Sequence, residues 1–205
     1  MTSAVTSFAS QPSRMTSMID GIDHALFARP AIRLAGTVDQ AMYDTFRSQL
    51  DGLPDGPICI TELTTLGGDP EFARAMGQDI CLRSAIEPDR RFAFVGKAAV
   101  YSAGATLMSF FAVQNRFFHP GTRLMIHERS FDCNVTLSGP LSACVAPLRA
   151  KLHEVEESIR IQNEGFANLI AGSSVSPDEI TERAACNWYL DAQEAQQLGL
   201  VNAII

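Results

Sequence analysis

Ser102 stands in Tyr101-Ser-Ala-Gly-Ala105, between a strand-like run and a stretch of small apolar residues. A hydroxyl at such a turn is well placed to act as a nucleophile. The helix N-terminus that follows offers unpaired N–H groups and a positive dipole end to a developing oxyanion. The same position suits an ordinary N-capping serine, and S-x-G is not the G-x-S-x-G elbow. His127 closes the run Arg123-Leu-Met-Ile-His127, where a ring nitrogen can reach a cleft beside a sheet edge. Taken singly it is equally a structural histidine, but His24, His119 and His153 have no comparable setting. Gly67-Gly68 follows one apolar run and precedes a helix start, so their backbone can approach a ligand closely and turn N–H groups toward it. A plain strand-to-helix turn fits them too, and no phosphate-loop pattern surrounds them.

These residues need elements to hold them. Residues 31–36 and 58–63 read as strands, and between them Val38, Met42, Phe46 and Leu50 recur every four residues along one helical face. Asp69-Pro70 caps and opens the next helix, with Phe72, Met76, Ile80, Leu82 and Ile86 as its apolar residues. Residues 91–96 form a third strand followed by a small-residue turn, and the nearly all-apolar 103–113 is a buried helix. Phe117-Phe118 and residues 123–127 are further strands. A Ser-, Gly- and Pro-containing loop runs from Arg129 to about Pro147. Leu148, Leu152, Val155, Ile159, Phe166 and Ile170 then mark a long helix with a polar outer face, ended at Gly172. Ser176-Pro-Asp-Glu179 is a capping box that opens a short helix, Asp191-Ala-Gln-Glu194 opens the last helix, and residues 200–205 read as a final strand. Strands alternating with helices predict an α/β fold of repeated βαβ units.

Composition narrows the function classes. A chain of 205 residues suits one domain with a real core, and 46% apolar with 19% charged residues is ordinary globular usage. A net charge of −7 argues against nucleic acid or an anionic membrane as partner. The apolar runs are too short to span a bilayer. Residues 1–20 are Ser/Thr-rich without a secretory pattern and read as a flexible tail before a single domain at 21–205. Five cysteines, an odd number without C-x-x-C pairing, fit reduced thiols in a cytoplasmic protein rather than disulfides or a metal site. No nucleotide motif and no cofactor signature is present.

Order and context are more specific than any one motif. Ile32-Arg-Leu-Ala-Gly-Thr-Val38 resembles the first core strand and turn of ClpP, the proteolytic subunit of Clp proteases. Gly67-Gly68, Ser102-Ala-Gly-Ala105, Met125-Ile-His127 and the closing Leu190-Asp-Ala-Gln-Glu-Ala-Gln-Gln-Leu-Gly-Leu-Val201 resemble that family's glycine pair, serine motif, histidine strand and C-terminal signature. The likeness runs through residues 28–205, and the spacing of Ser102 from His127 needs no gap. It implies the ClpP/crotonase fold, a right-handed spiral of βαβ units with a protruding long helix. It also implies Ser102 as nucleophile, His127 as general base and the N–H groups of Gly68 and Ala103 as oxyanion hole. Peptides or unfolded proteins would be the substrates, cut within a homo-oligomeric ring served by a separate AAA-type unfoldase.

The departures from the family pattern are informative. Its catalytic aspartate falls on Asn187, whose carbonyl can accept a hydrogen bond from the imidazole but supplies no negative charge. In chymotrypsin-type enzymes that exchange costs roughly 10⁴ in turnover. Asp191 and Glu128 are nearby in sequence as substitutes. Leu66 replaces the proline usual before the glycine pair, the loop after His127 is longer than typical, and the segment before Ile32 does not match the usual axial loop. Two other readings follow. One is a catalytically weak or silent subunit that assembles with an active relative. The other is a crotonase-type enzyme acting on an acyl-CoA thioester, which the Ser/His pair and the short chain disfavour.

Overall fold

The computed structural model describes residues 18–205. Most of the expected tail lies outside the described residues. Met18 to Asp20 already belong to the fold, since β1 (Met18–Ile19) pairs antiparallel with β2 (Ile22–Asp23). A short helix α1 (His24–Phe27) follows. The chain then alternates through β3 (Ile32–Ala35), α2 (Gln40–Asp51), β4 (Ile58–Thr65), α3 (Pro70–Ile86), β5 (Arg91–Tyr101), α4 (Ala103–Met108), β6 (Arg116–Phe118) and β7 (Arg123–Ile126). It ends with α5 (Leu141–Ile170), α6 (Pro177–Ala184), β8 (Trp188–Asp191), α7 (Ala192–Gln197) and β9 (Ala203–Ile204).

β3, β4, β5, β6 and β9 lie side by side in one sheet, all parallel. β4 is buried on both faces. Cys59 and Leu63 meet the helices, while Ile60 joins Ile22, Phe27 and Phe117 in a smaller core under the N-terminal segment. This is the near-continuous apolar pattern that parallel strands require. α2 forms as its spacing predicts: the Asp39 side chain accepts from Met42 N–H, and Met42, Phe46 and Leu50 are buried. Asp69 caps α3 by accepting from Glu71 N–H, with Pro70 in the first turn. Ala73, Met76 and Ile80 face the core, but Leu82 and Ile86 lie on the solvent side. The Asp191–Glu194 capping box is complete, whereas Glu179 of the Ser176 cap turns its carboxylate to Arg183 instead.

Three boundaries differ from expectation. The turn expected after Gly96 is an irregularity within a longer strand. β5 pairs with β6 through Gly96, adopts a positive φ of 59° at Ala98, and then pairs with β7 through Ala99–Tyr101. The carbonyls released at this break are taken up by the Thr122 and Thr64 hydroxyls. β8 pairs antiparallel with β7 and extends the sheet where no strand was expected. α5 begins at Leu141, well before the expected exit from the loop near Pro147. Pro147 removes one N–H from this helix, but the turn it would bond is exposed, so solvent reaches the freed carbonyl.

α5 touches the body mainly at its end, where Leu169 and Ile170 are buried. Its expected core stripe is instead open: Leu148, Leu152 and Ile159 are 49%, 56% and 50% exposed. No helix among the described residues is long and apolar enough to cross a membrane. The five cysteines are all free.

Arg116 opens β6 and is almost fully buried, with no carboxylate partner among the described residues. Its guanidinium donates instead to five backbone carbonyls: Phe111, Ser109, Leu200, and Asn168 and Leu169 at the end of α5. Burial pulls its pKa down to about 10, so it remains a cation at neutral pH. It satisfies carbonyls that the end of α5 leaves open and pins that end to the core. Replacing Arg116 by leucine strips several buried acceptors of their donor at once. Urea unfolding should show a loss of about 3 kcal/mol or more; a change under about 0.5 kcal/mol would mean that the carbonyls find other donors.

Candidate active site

Ser102 sits where β5 ends and α4 begins, with φ 54° and ψ −113°. A non-glycine residue rarely adopts a positive φ, and such strain persists only where the surroundings enforce it. Here the Ser102 N–H donates to Met125 carbonyl at 2.9 Å, which ties the turn to β7. The side chain does not cap α4. Its Oγ lies 2.7 Å from Nε2 of His127, the first residue after β7. The ordinary N-cap reading therefore does not describe what this hydroxyl does. With Nε2 unprotonated, the serine O–H donates along this line, the geometry a proton transfer to the imidazole requires.

The glycine pair fits against this turn with no room to spare. A Cβ on Gly67 would stand 2.9 Å from Ser102 Cβ, and one on Gly68 would stand 2.3 Å from the Val38 carbonyl oxygen. Both residues have φ values open mainly to glycine, 116° and 145°. Val38 bridges the pair: its N–H donates to Gly67 carbonyl and its carbonyl accepts from Asp69 N–H. The Gly68 N–H stands outside that bridge, and Ala103 N–H, in the first turn of α4, has no intrahelical acceptor. Gly68, Ser102, Ala103 and His127 line one cavity of about 200 Å³. A second cavity of about 190 Å³, also lined by Ser102 and His127, has Phe110, Ile126 and Leu169 among its apolar walls, with Arg74, Gln78 and Gln162 also lining it.

The third expected member is placed differently from the pair. β7 and β8 are in register through Ile126 and Trp188, so Asn187 lies one step beyond, alongside His127. Asn187 has φ 57°, its N–H donates to Ala184 carbonyl, and its side chain is exposed. No hydrogen bond joins it to the imidazole among the described residues. Asp191 is at the far end of the ladder, where it caps α7 and lies 3.8 Å from Arg123. Glu128 is exposed and lines the first cavity.

The segment after His127 is instead held by residues that the sequence did not single out. Arg129 N–H donates to Gln162 Oε1 of α5 at 2.7 Å, and Arg129 Nη2 donates to Glu71 Oε1 of α3 at 2.5 Å. The other Glu71 oxygen accepts from Arg74. Partial burial works against the Glu71 charge, but these two guanidiniums outweigh it and hold the carboxyl below the usual carboxylate range. No local spacing reveals such a contact, since Glu71, Arg129 and Gln162 come from three distant stretches.

The parallel βαβ core, with a long helix standing off it, is an α/β fold of the ClpP type. It resembles a structure of an Asn-to-Asp point mutant of ClpP1 from Listeria monocytogenes, with a TM-score of 0.67 and 23% identity over 85% of this chain and 90% of that one. A family model described as Clp protease matches residues 14–205, so the chain belongs to the Clp protease family. The ATP-dependent Clp protease proteolytic subunit 2 of Pseudomonas aeruginosa is 31% identical over 111 residues, 54% of this chain. That match spans half the length of the curated relative.

The packing at the glycine pair makes a direct prediction. Gly68→Ala must displace the Val38 backbone and hold an L-residue at a glycine conformation. We expect a loss of roughly 2–5 kcal/mol in chemical denaturation. A stability within experimental error of the parent would show that the bridge to Val38 yields readily.

Proposed function

We propose that this chain is a serine-type peptidase subunit in which Ser102 is the nucleophile and His127 the general base. The observation that carries this reading is the 2.7 Å separation of Oγ and Nε2, with both residues lining two adjoining cavities. Ser102 Oγ bonds to the scissile carbonyl carbon as its proton passes to His127 Nε2. The oxyanion accepts from the N–H groups of Gly68 and Ala103. Collapse breaks the C–N bond, and Nε2 returns the proton to the leaving amine. Water, deprotonated by the same imidazole, then releases the acyl group as a carboxylic acid. The two cavities that meet at the pair can take side chains of a peptide, so peptides and unfolded segments are the proposed substrates. No cofactor takes part.

The exposed stripe on α5 supports a further part of this reading. Leu141, Val145, Leu148, Leu152 and Ile159 recur at spacings of three, four and seven, the seam of a helix that packs against another. A single chain leaves this seam in water, which favours a homo-oligomer assembled through α5. Family membership supports a ring as the form of that assembly, with an AAA-type unfoldase as its proposed feeder.

A second reading rests on one observation: among the described residues no side chain hydrogen-bonds the far nitrogen of His127. It makes the chain a weak or silent subunit that serves an active relative within a mixed ring.

Three measurements test these proposals. A fluorophosphonate probe should label the purified protein, and Ser102→Ala should abolish labelling; a labelled Ser102→Ala protein removes Ser102 as nucleophile. Asn187→Asp should raise peptide turnover by about tenfold or more, because a carboxylate adds charge beside the imidazolium. If that variant stays inactive while a co-expressed relative gains activity, the silent-subunit reading holds. Leu148→Glu combined with Leu152→Glu should reduce the sedimenting species to smaller units, and an unchanged distribution places the assembly contact elsewhere.

A further inference from the structure

The N-terminal side of His127 is anchored by the ladder of β7 with β5 and β8, but the ladder ends at Ile126. Beyond it, the Glu128 N–H makes only a long 3.4 Å contact to the Ala184 carbonyl. The next residue is held far more tightly, through Arg129 N–H to Gln162 and the Arg129 guanidinium to Glu71. Glu71 is itself fixed. It is the second residue of α3, its N–H is capped by Asp69, and each of its carboxylate oxygens accepts from a different arginine.

Position along the chain gives these contacts their meaning. Glu71 follows Gly68 by three residues, and Arg129 follows His127 by two. β4 and β7 do not pair with each other; they flank β5 on opposite sides. Past the strand ends no ladder sets the distance from the Gly68 N–H to the imidazole. The Glu71–Arg129 contact spans that gap, and Gln162 fastens the same segment to α5. Arg129 and Gln162 each line both cavities.

We propose that Glu71, Arg129 and Gln162 form a positioning clamp that holds the base-bearing segment in register with the oxyanion-bearing segment. The clamp orients His127 through its backbone, where Asn187 makes no hydrogen bond to the ring. None of the three is a catalytic residue; they act through His127 and Gly68. The inference rests on the reading of Ser102 and His127 given above.

The test compares Arg129→Ala, Arg129→Lys, Glu71→Gln and Arg47→Ala in the full chain. Misplacement by about 1 Å at a reacting centre costs on the order of 10²-fold, so Arg129→Ala should slow fluorophosphonate labelling of Ser102 by about 10- to 100-fold. Its melting temperature should stay close to the parent's, and Arg129→Lys should recover part of the rate. Arg47→Ala breaks another ion pair to α3, with Asp79, away from both cavities and the His127 segment, and should label within about twofold of the parent. Glu71→Gln combined with Arg129→Ala should be no slower than Arg129→Ala alone, as expected of residues in one contact. Labelling of Arg129→Ala within about twofold of the parent, or independent losses in the double variant, overturns the clamp. Should Arg129→Ala fail to fold, Gln162→Ala carries the same expectation at the other end.

A crystal structure of the folded variant decides the matter without activity. The clamp requires the Ser102 Oγ to His127 Nε2 contact to open beyond hydrogen-bonding distance, and a contact kept at 2.7 Å overturns it. This arm still decides if the parent protein takes no label, a result that would sink only the nucleophile assignment.

Discussion

The site is organised by one steric constraint, the passage of the Gly67-Gly68 backbone between Val38 and Ser102. On the Val38 side, a Cβ would fall 2.3 Å from a carbonyl oxygen; on the Ser102 side, 2.9 Å from its Cβ. Only a chain without side chains fits between them, and it fits by taking φ values that other residues avoid. The same passage leaves the Gly68 N–H outside the bridge that Val38 makes with Gly67 and Asp69. Ser102 meets it with a strained φ of its own, held by the bond from its N–H to Met125. Packing and site geometry are here one constraint: what lets β4 and β5 end so close together also puts Gly68 and Ser102 in the wall of one cavity.

Arg116 answers a different requirement. α5 runs from the surface to the core, and its last turn brings unpaired carbonyls into a dry environment. A glycine cap would end the helix but would not bind it to anything. A buried guanidinium, planar and rich in donors, reaches Asn168 and Leu169 while also holding Ser109, Phe111 and Leu200. The long helix can therefore stand off the body for most of its length and still have a fixed direction. That direction brings Gln162 to the segment after His127.

Much of this frame is legible in the sequence where the signal is local. The i, i+4 stripe of α2, the Asp69-Pro70 start and the Asp191–Glu194 box each encode their own structure within a few residues. The glycine pair, Ser102 and His127 were visible as candidates, but only their order along the chain separated them from caps and turns. Other features depend on distant partners. The start of α5 hides behind Pro147, and its apolar stripe looks like a core face because periodicity does not say what covers it. β8 is four residues long and exists because β7 is there to pair with it. The positive φ of Ser102 is held by the bond from its N–H to Met125 on β7, a partner distant in sequence.

Asn187 shows how position and function can part. The register of β7 with β8 brings it alongside His127, as the alignment of motifs implied, yet its exposed side chain makes no bond to the ring. A third side chain in such a site does two separable things: it orients the imidazole, and it stabilises the charge formed when the imidazole takes a proton. Orientation can be supplied by any rigid attachment of the backbone on both sides of the histidine. Charge stabilisation needs a negative group or well-aimed dipoles close to the ring. The carboxylates of Asp191 and Glu71 are engaged with other partners, and Glu128 is exposed to solvent. The described geometry thus provides for orientation and leaves the imidazolium charge with weak support. Under the proposed mechanism such a site would transfer a proton along a well-aligned path to a base that gains little from receiving it, which would make the identity of residue 187 a control on rate rather than on architecture.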